Sequence, residues 1–507
     1  LFRAQLISFF QSNRFLTCSA YNRADIEPDR PLTTMMITDA AERLMPARHL
    51  SRIRQVRDLL KVIARGGDDL AVAQRMALIA FAIRVVSAAI AFVSQVILAR
   101  LMGNFDYGIY VFVWVLAVIL GNLSCLGFHT AVIRFLPQYR AAGQAEEIRG
   151  LTWTARVFSM ISASFVGAIG IATVLMLGDQ VKDYYVAPLI LGAFALPMIA
   201  LGDVLDGTSR ANNWPVLALS PTYLIRPTLI ILIAIAAFLW LGGANAQTVL
   251  IGALVATYLT TVGQFILVRR RLGNLFARGR RQLHFKTWVV VALPIFMIEG
   301  FYFLLTNADV IVVGFYLPPE RVAVYFAAAK IMALVHFVYF AVKAAAAPRF
   351  SDLVSTDRMA ELGHFASQTT RWAFWPSLMV GGLAMLAAPL LLSLFGPDYL
   401  EGRIVMAILL VGILAKAMVG PAEVLLSMTG HQKVCAGVYA LALTINIGLN
   451  IALIPLFGIE GAAIATAVAM SAEAFLLHIT VRRRLGITQF VGTDQYGRLA
   501  LRPAAEV

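Results

Sequence analysis

Charge is what this sequence has least of. Only 14% of its 507 residues are Asp, Glu, Lys or Arg, against roughly 25% in a water-soluble domain. The deficit argues against an ordinary soluble fold, because 60% hydrophobic residues and a mean hydropathy of +0.78 exceed what one aqueous core absorbs. Cysteine is scarce too: Cys18, Cys125 and Cys435 have neither CxxC nor Cys/His spacing, so neither a disulfide framework nor a metal site is implied. No Walker A loop, HExxH or GxSxG pattern occurs, leaving ATP hydrolysis, zinc proteolysis and a serine nucleophile without support. The net charge of +14 raises nucleic acid as a partner, but where the positive charges fall removes that reading.

A bilayer span needs about 20 mostly apolar residues. Twelve segments qualify: 76–98, 107–131, 153–177, 185–205, 214–239, 248–268, 288–315, 322–346, 372–395, 403–427, 434–455 and 461–481. Seven stretches on one side of these spans, both termini included, hold 33 of the 42 Lys and Arg. The loops on the other side hold Arg100, Lys182, Arg321 and Arg403. Basic loops stay in the cytoplasm, so both termini are expected there and the basicity is an orientation signal. The loops opposite run to only 5–10 residues, too short for an extracellular catalytic domain. Residues 1–75 read as a basic cytosolic extension, largely disordered. Within it, Ile53, Val56, Leu60 and Ile63 share one helical face over 51–65, flanked by Arg52, Arg54, Arg57 and Lys61, a pattern suited to anionic lipid. Met36 and Met45 are alternative translation starts, which would leave 1–35 or 1–44 untranslated.

The hexapeptide VRRRLG closes the sixth span at 268–273 and the twelfth at 481–486. Sliding the halves by 215 residues lays 134–156 on 349–371, Tyr110 on Tyr325, and Asp183-Tyr184 on Asp398-Tyr399; at 220, Asp203 meets Glu423. Two six-span halves with the same way up form a parallel repeat, which in transporters encloses a central cavity. The expected fold is an all-α membrane protein, twelve helices in two parallel six-helix repeats around that cavity. Its parts are 76–273, a basic linker 274–287, 288–486 and a cytosolic tail 487–507.

A mid-span charge costs at least ~2.5–3.5 kcal/mol and should face the interior. Span 1 carries Arg84, Ser87, Ser94 and Gln95 on one face, and span 7 carries Glu299, Tyr302, Thr306 and Asp309 on another. The repeat sets Arg84 level with Glu299, so the two faces are expected to wall the cavity and the pair to bond when the walls approach; polar glue between helices is the plainer alternative. Arg226 precedes Pro227 in a span that also holds Pro215 and Pro221, which predicts a kink. It is either satisfied by freed carbonyls or suited to bind phosphate with its fork. Lys330 and Lys416 are further cavity candidates, while Lys343 sits near a span end and is expected to snorkel. Asp203, Glu423 and Glu473 are candidates for gating or ion coupling, with loop-facing helix ends the simpler reading of the first two. His129, His336 and His478 have no metal-ligand spacing and read as packing residues.

The stretches ILARLMGNFDYGIY (97–110) and AVIRFLPQYRAAGQAEEIRG (131–150) resemble the N-terminal signature of polysaccharide transport proteins. These are lipid-linked oligosaccharide flippases of the multidrug/oligosaccharidyl-lipid/polysaccharide exporter superfamily. TNADVIVVGFYLPPERVAVYFAAAKI (306–331) resembles the family's span 7–8 passage, with Val324 where a glycine is expected. The resemblance covers about 75–490 and implies a fold like that of the drug antiporters called MATE and the lipid II flippase. It also implies a non-enzymatic flippase of the bacterial inner membrane. That flippase would carry an undecaprenyl-pyrophosphate-linked oligosaccharide from the cytoplasmic to the periplasmic leaflet for O-antigen, capsule or exopolysaccharide assembly. Arg84, within IRVVSAAIAF (83–92), fits the arginine related flippases carry in span 1. No cofactor is expected, only an ion gradient or the membrane potential. The expected partners are the lipid-linked oligosaccharide, membrane lipid and the polysaccharide polymerase and chain-length machinery, with the monomer as the working unit. Two readings compete: a MATE-type antiporter, whose cavity should be acidic and aromatic, and a membrane polymerase or ligase, which should show a large periplasmic loop.

Overall fold

The computed structural model describes residues 69–276 and 279–492. The amphipathic stretch expected at 51–65 and the end of the tail lie outside them. From Met76 on, the described residues form one compact unit. Among the described residues there is no strand.

The helices are α1 Asp69–Ser124, α2 Phe128–Ala141, α3 Ala145–Leu177, α4 Asp183–Ala211, α5 Pro215–Ser220, α6 Arg226–Leu241 and α7 Ala246–Leu275. They continue as α8 Phe285–Leu305, α9 Ala308–Tyr316, α10 Pro319–Ser355, α11 Met359–Leu386, α12 Ala388–Ser393, α13 Gly402–Val419, α14 Ala422–Met428 and α15 Gln432–Leu485. Nine helical segments among the described residues are long and apolar enough to cross a membrane. Ile161, Phe165, Met176, Leu239, Trp240 and Leu386 are each more than half exposed, a surface that fits hydrocarbon and not water. The chain is a multi-pass membrane protein.

The apolar segments do not map one for one onto the twelve expected spans. The expected span 76–98 and most of 107–131 fall within α1, which is interrupted at Gly103 (φ 76°) and ends at Ser124, and two expected spans fall within α15, interrupted at Gly458 (φ 61°). Only glycine takes such a φ without strain, so hydropathy alone cannot separate a broken helix from two helices. The segment 288–315 is divided between α8 and α9 at Thr306–Asn307, and 403–427 between α13 and α14 at Gly420–Pro421. The kink expected around Arg226 is a π-helical turn over Pro221–Ile225, flanked by Pro227 at the start of α6; neither Pro221 nor Pro227 can supply a regular i→i−4 donor.

Small residues set the packing, as they do where lipid removes the hydrophobic drive between helices. Ala462, Ala463, Ala465, Ala467 and Ala469 of α15 are buried, and a side chain at Gly412 of α13 would meet the Ala467 backbone at 2.8 Å. One apolar core joins α1 to α9, α10, α12, α13 and α15, and so links 76–273 to 288–486. It lies at the end holding Gly103, Pro318 and Gly396. There a Cβ on Gly108 would stand 1.8 Å from the Pro319 carbonyl oxygen, and one on Gly314 would stand 2.1 Å from the Phe112 ring. Tyr107 packs against Phe326 and Tyr399. Arg100 donates to the Ser393 and Leu394 carbonyls that end α12, and Asn104 donates to Asp398 at 3.1 Å. Toward the other end, α8 packs on α2 through Trp288 and Ala292.

Candidate functional site

A cavity of about 970 Å³ opens among α1, α8, α9, α10, α13, α14 and α15. Its walls follow from the breaks in the helices. Glu299, Tyr302 and Thr306 come from the last turns of α8, and Asp309 from the first turn of α9 across the Thr306–Asn307 interruption. All four residues of the span 7 face therefore line one space. Arg84 lines it from α1. Ser87 and Ser94 do not: each hydroxyl donates to a carbonyl of its own helix, the usual local solution for serine, and Gln95 accepts from Tyr107 at 2.9 Å.

Arg84 and Glu299 share the cavity but form no ion pair. Glu299 Oε2 accepts from Thr130 Oγ1 at 2.7 Å and lies 3.2 Å from His129 Nε2. The reason is a turn that the periodic reading passed over. Leu126 (φ 45°) and Gly127 (φ 77°) are both left-handed, which ends α1 and starts α2 so that His129 and Thr130 face α8. His129 is thus no mere packing residue. The Arg84 guanidinium instead lies 5.8 Å from the Tyr223 ring, within cation–π range.

The remaining lysines of the cavity are neutralised. Lys416 Nζ lies 2.7 Å from Glu473 Oε1, with both side chains almost fully buried (4% and 1% exposed). Lys343 Nζ lies 3.0 Å from Glu423 Oε1, and Glu423 also accepts the Tyr339 hydroxyl at 2.8 Å. Lys343 does not snorkel, because α10 runs on to Ser355 and holds it within the helix body. Glu423 does not face a loop either: the chain breaks at Gly420 (φ 70°) and α14 starts again inside the bundle with Glu423 buried in its first turn. Asp309 accepts the Tyr325 hydroxyl at 2.6 Å and its neighbour's N–H. Among the described residues Arg84 is the one cation of the cavity wall without a carboxylate partner.

Three sequence candidates lie outside this lining. Arg226 sits 6.0 Å from the Trp114 ring, Lys330 sits 4.7 Å from the Phe326 ring, and Asp203 accepts from Asn122 at 3.0 Å. Sequence reasoning missed His336, Tyr439 and Thr466, which do line the cavity. Their signal was weak: a lone histidine, tyrosine or threonine on an apolar helix face usually packs. His478 bonds the Gln489 carbonyl at 2.8 Å and ties the following segment back to α15.

Residues 74–354 match the polysaccharide biosynthesis protein family. The chain belongs to that family. Residues 294–452 of this polysaccharide biosynthesis protein also match the MatE family. It is 29% identical over 182 residues to the probable flippase AglR of Haloferax volcanii, an alignment covering 33% of this chain and 36% of that protein. The polysaccharide biosynthesis family member thus spans about a third of the length of that curated relative. Its fold is similar to the inward-facing conformation of a multidrug resistance MATE family transporter (TM-score 0.64, 15% identity, 79% of this chain and 94% of the other). It is equally similar to the inward closed lipid II flippase MurJ (TM-score 0.64, 17% identity, 80% and 87%). An outward-facing conformation of a MATE family transporter matches at TM-score 0.57 (15% identity, 84% and 97%). The fold is that of the superfamily named in these structures.

Proposed function

We propose that the protein is a flippase that moves an undecaprenyl-pyrophosphate-linked oligosaccharide from the cytoplasmic to the periplasmic leaflet of a bacterial inner membrane by alternating access, for O-antigen, capsule or exopolysaccharide assembly. The observation that carries the reading is Arg84, the cavity cation left without a carboxylate beside tyrosine and threonine hydroxyls. A guanidinium fork suits a pyrophosphate, and hydroxyls suit sugars. The named flippase activities of AglR and MurJ support the reaction class. Twelve spans in two parallel halves, 76–273 and 288–486, with the termini on the cytoplasmic side, agree with 33 of 42 Lys and Arg on one side. In that orientation the end latched by Arg100 and Asn104 is periplasmic, so the conformer described is closed to the periplasm. An inside-negative potential favours outward movement of an anionic head group by ~2.3 kcal/mol per charge per 100 mV.

The test is to delete the gene and identify the lipid-linked glycan that builds up on the cytoplasmic side. No accumulation, with raised drug sensitivity instead, would sink the reading. That outcome belongs to the second reading, a MATE-type antiporter, which the MatE match over 294–452 and the four carboxylates of the cavity wall favour.

A further inference from the structure

The contact between α2 and α8 is built around a pair of titratable groups that head-group recognition does not use. His129 Nε2 faces Glu299 Oε2 at 3.2 Å, and Thr130 holds the same oxygen at 2.7 Å. His129 belongs to the first half of the chain and Glu299 to the second. Glu299 opens onto the cavity with 46% of its side chain exposed, whereas His129 is 20% exposed. The approach is forced by the backbone. A Cβ on Gly127 would stand 2.4 Å from the Ala292 carbonyl oxygen of α8, and one on Gly207 would stand 2.1 Å from the His129 carbonyl oxygen. The backbone around His129 is therefore held close between α4 and α8. Its Nδ1 is buried with no hydrogen-bond partner among the described residues.

The surroundings hold both acids and cations, and Asp206 is paired with Arg210 at 2.5 Å. From α4, Asp203 and Asp206 lie within electrostatic reach of His129, and Arg210 within reach of Glu299. From α1, Asn122 holds Asp203 and Arg84 shares the cavity with Glu299; from α6, Arg226 acts on Asp203. α3 meets α2 through Phe158 on Phe128, an apolar contact. A lone pair with no donor, next to a carboxylate and two further acids, at a water-reaching junction of the two halves, is an arrangement suited to take up one proton.

We propose that the His129–Glu299 pair is a proton-binding site whose occupancy biases the junction between the two halves. Before uptake the imidazole is neutral, its Nε2–H donates to the Glu299 carboxylate and the Nδ1 lone pair is free. A hydronium ion of the cavity supplies the proton: one O–H bond of the hydronium breaks, one N–H bond forms at Nδ1, and the pair goes from net negative to net neutral. The hydrogen bond to Glu299 then joins an imidazolium to a carboxylate and gains their Coulomb attraction, which tightens α8 on α2 and favours the conformer described here. Release of the proton loosens that contact. The inference rests on the reading of the protein as a transporter, but its test needs no substrate.

Full-length protein in nanodiscs, with Cys18, Cys125 and Cys435 replaced by alanine, is spin-labelled at the exposed Ala142 and Lys433, one in each half, and the distance distribution is followed from about pH 5 to pH 8, the range in which imidazole titrates. The expected result is two distance populations whose ratio changes at least tenfold, the shorter favoured at low pH. His129→Gln keeps an amide donor for Glu299 and should flatten the response. Glu299→Gln keeps the size and should flatten it as well, so the outcome does not depend on one variant folding. A flat wild-type profile overturns the proposal, as does an unchanged response in either folded variant. Since no glycan enters the measurement, a pH response that persists when the deletion strain accumulates no lipid-linked glycan separates failure of the flippase reading from failure of this one.

Discussion

Asp203 and Glu423 occupy corresponding places in the two halves at an offset of 220 residues, yet their environments differ. Asp203 accepts a hydrogen bond from the neutral amide of Asn122. Glu423 is held by the Lys343 ammonium and the Tyr339 hydroxyl, close to the second buried pair, Lys416 and Glu473. A buried charge paired with an opposite charge is locked in place, because removing either partner strands the other. A carboxylate held by an amide can gain or lose a proton without stranding a charge. The second half pairs Lys343 and Lys416 with its own acids, while the first half, among the described residues, keeps Arg84 without a carboxylate and offers His129 to the junction. The repeat conserves the position of the acid and changes its partner.

The comparison breaks most visibly at Lys416 and Glu473. Lys416→Ala leaves a carboxylate almost fully buried without its cation and should cost about 3–5 kcal/mol, read as a large drop in thermal stability in detergent. The double variant Lys416→Met with Glu473→Leu should recover most of that loss, since replacing both charges by apolar groups is often neutral. If the double variant is as unstable as the single one, the pair is not a self-contained unit. Next comes the direct contrast. Glu423→Gln should destabilise by several kcal/mol through the stranded Lys343, whereas Asp203→Asn should change stability by no more than about 1 kcal/mol. Equal losses at the two positions would erase the distinction between the halves.

Activity sharpens the same contrast. Arg84→Ala should lower glycan transport by at least tenfold, the loss of a charge-assisted contact of about 1.5–3 kcal/mol, with normal membrane insertion. Arg84→Lys should recover part of it, because an ammonium keeps the charge but not the fork. Full transport by the Ala variant removes Arg84 from the substrate site.

Apolar runs mark where helices lie, and the 3.6-residue period alone puts Glu299, Tyr302, Thr306 and Asp309 on one wall. What periodicity could not supply was the partner of each charge. A left-handed turn of two residues at Leu126–Gly127 turns His129 onto Glu299, and a helix that runs on to Ser355, past the expected span end at 346, keeps Lys343 inside. Both are tertiary effects: single backbone angles and helix ends decide which side chains meet, and neither leaves a periodic trace. Gly103, Gly420 and Gly458 stood in the sequence as glycines like any other, and only their positive φ values mark them as breaks.

The smallest expected effect is at the end where the halves are joined. Arg100 donates to the last carbonyls of α12, satisfying acceptors a helix terminus otherwise leaves to water, and Asn104 reaches Asp398 at 3.1 Å. Both contacts are exposed, so each is worth about 0.5–1.5 kcal/mol. That is little for folding but enough to shift a two-state equilibrium several-fold. Arg100→Ala should leave thermal stability nearly unchanged and raise labelling at that end by a membrane-impermeant maleimide on a cysteine placed at Asn104. A disulfide between cysteines at 104 and 398 should suppress that opening and arrest transport until reduced. If the cross-linked protein transports normally, the halves do not separate at this end, and the contrast between an internally paired second half and the junction loses its mechanical consequence.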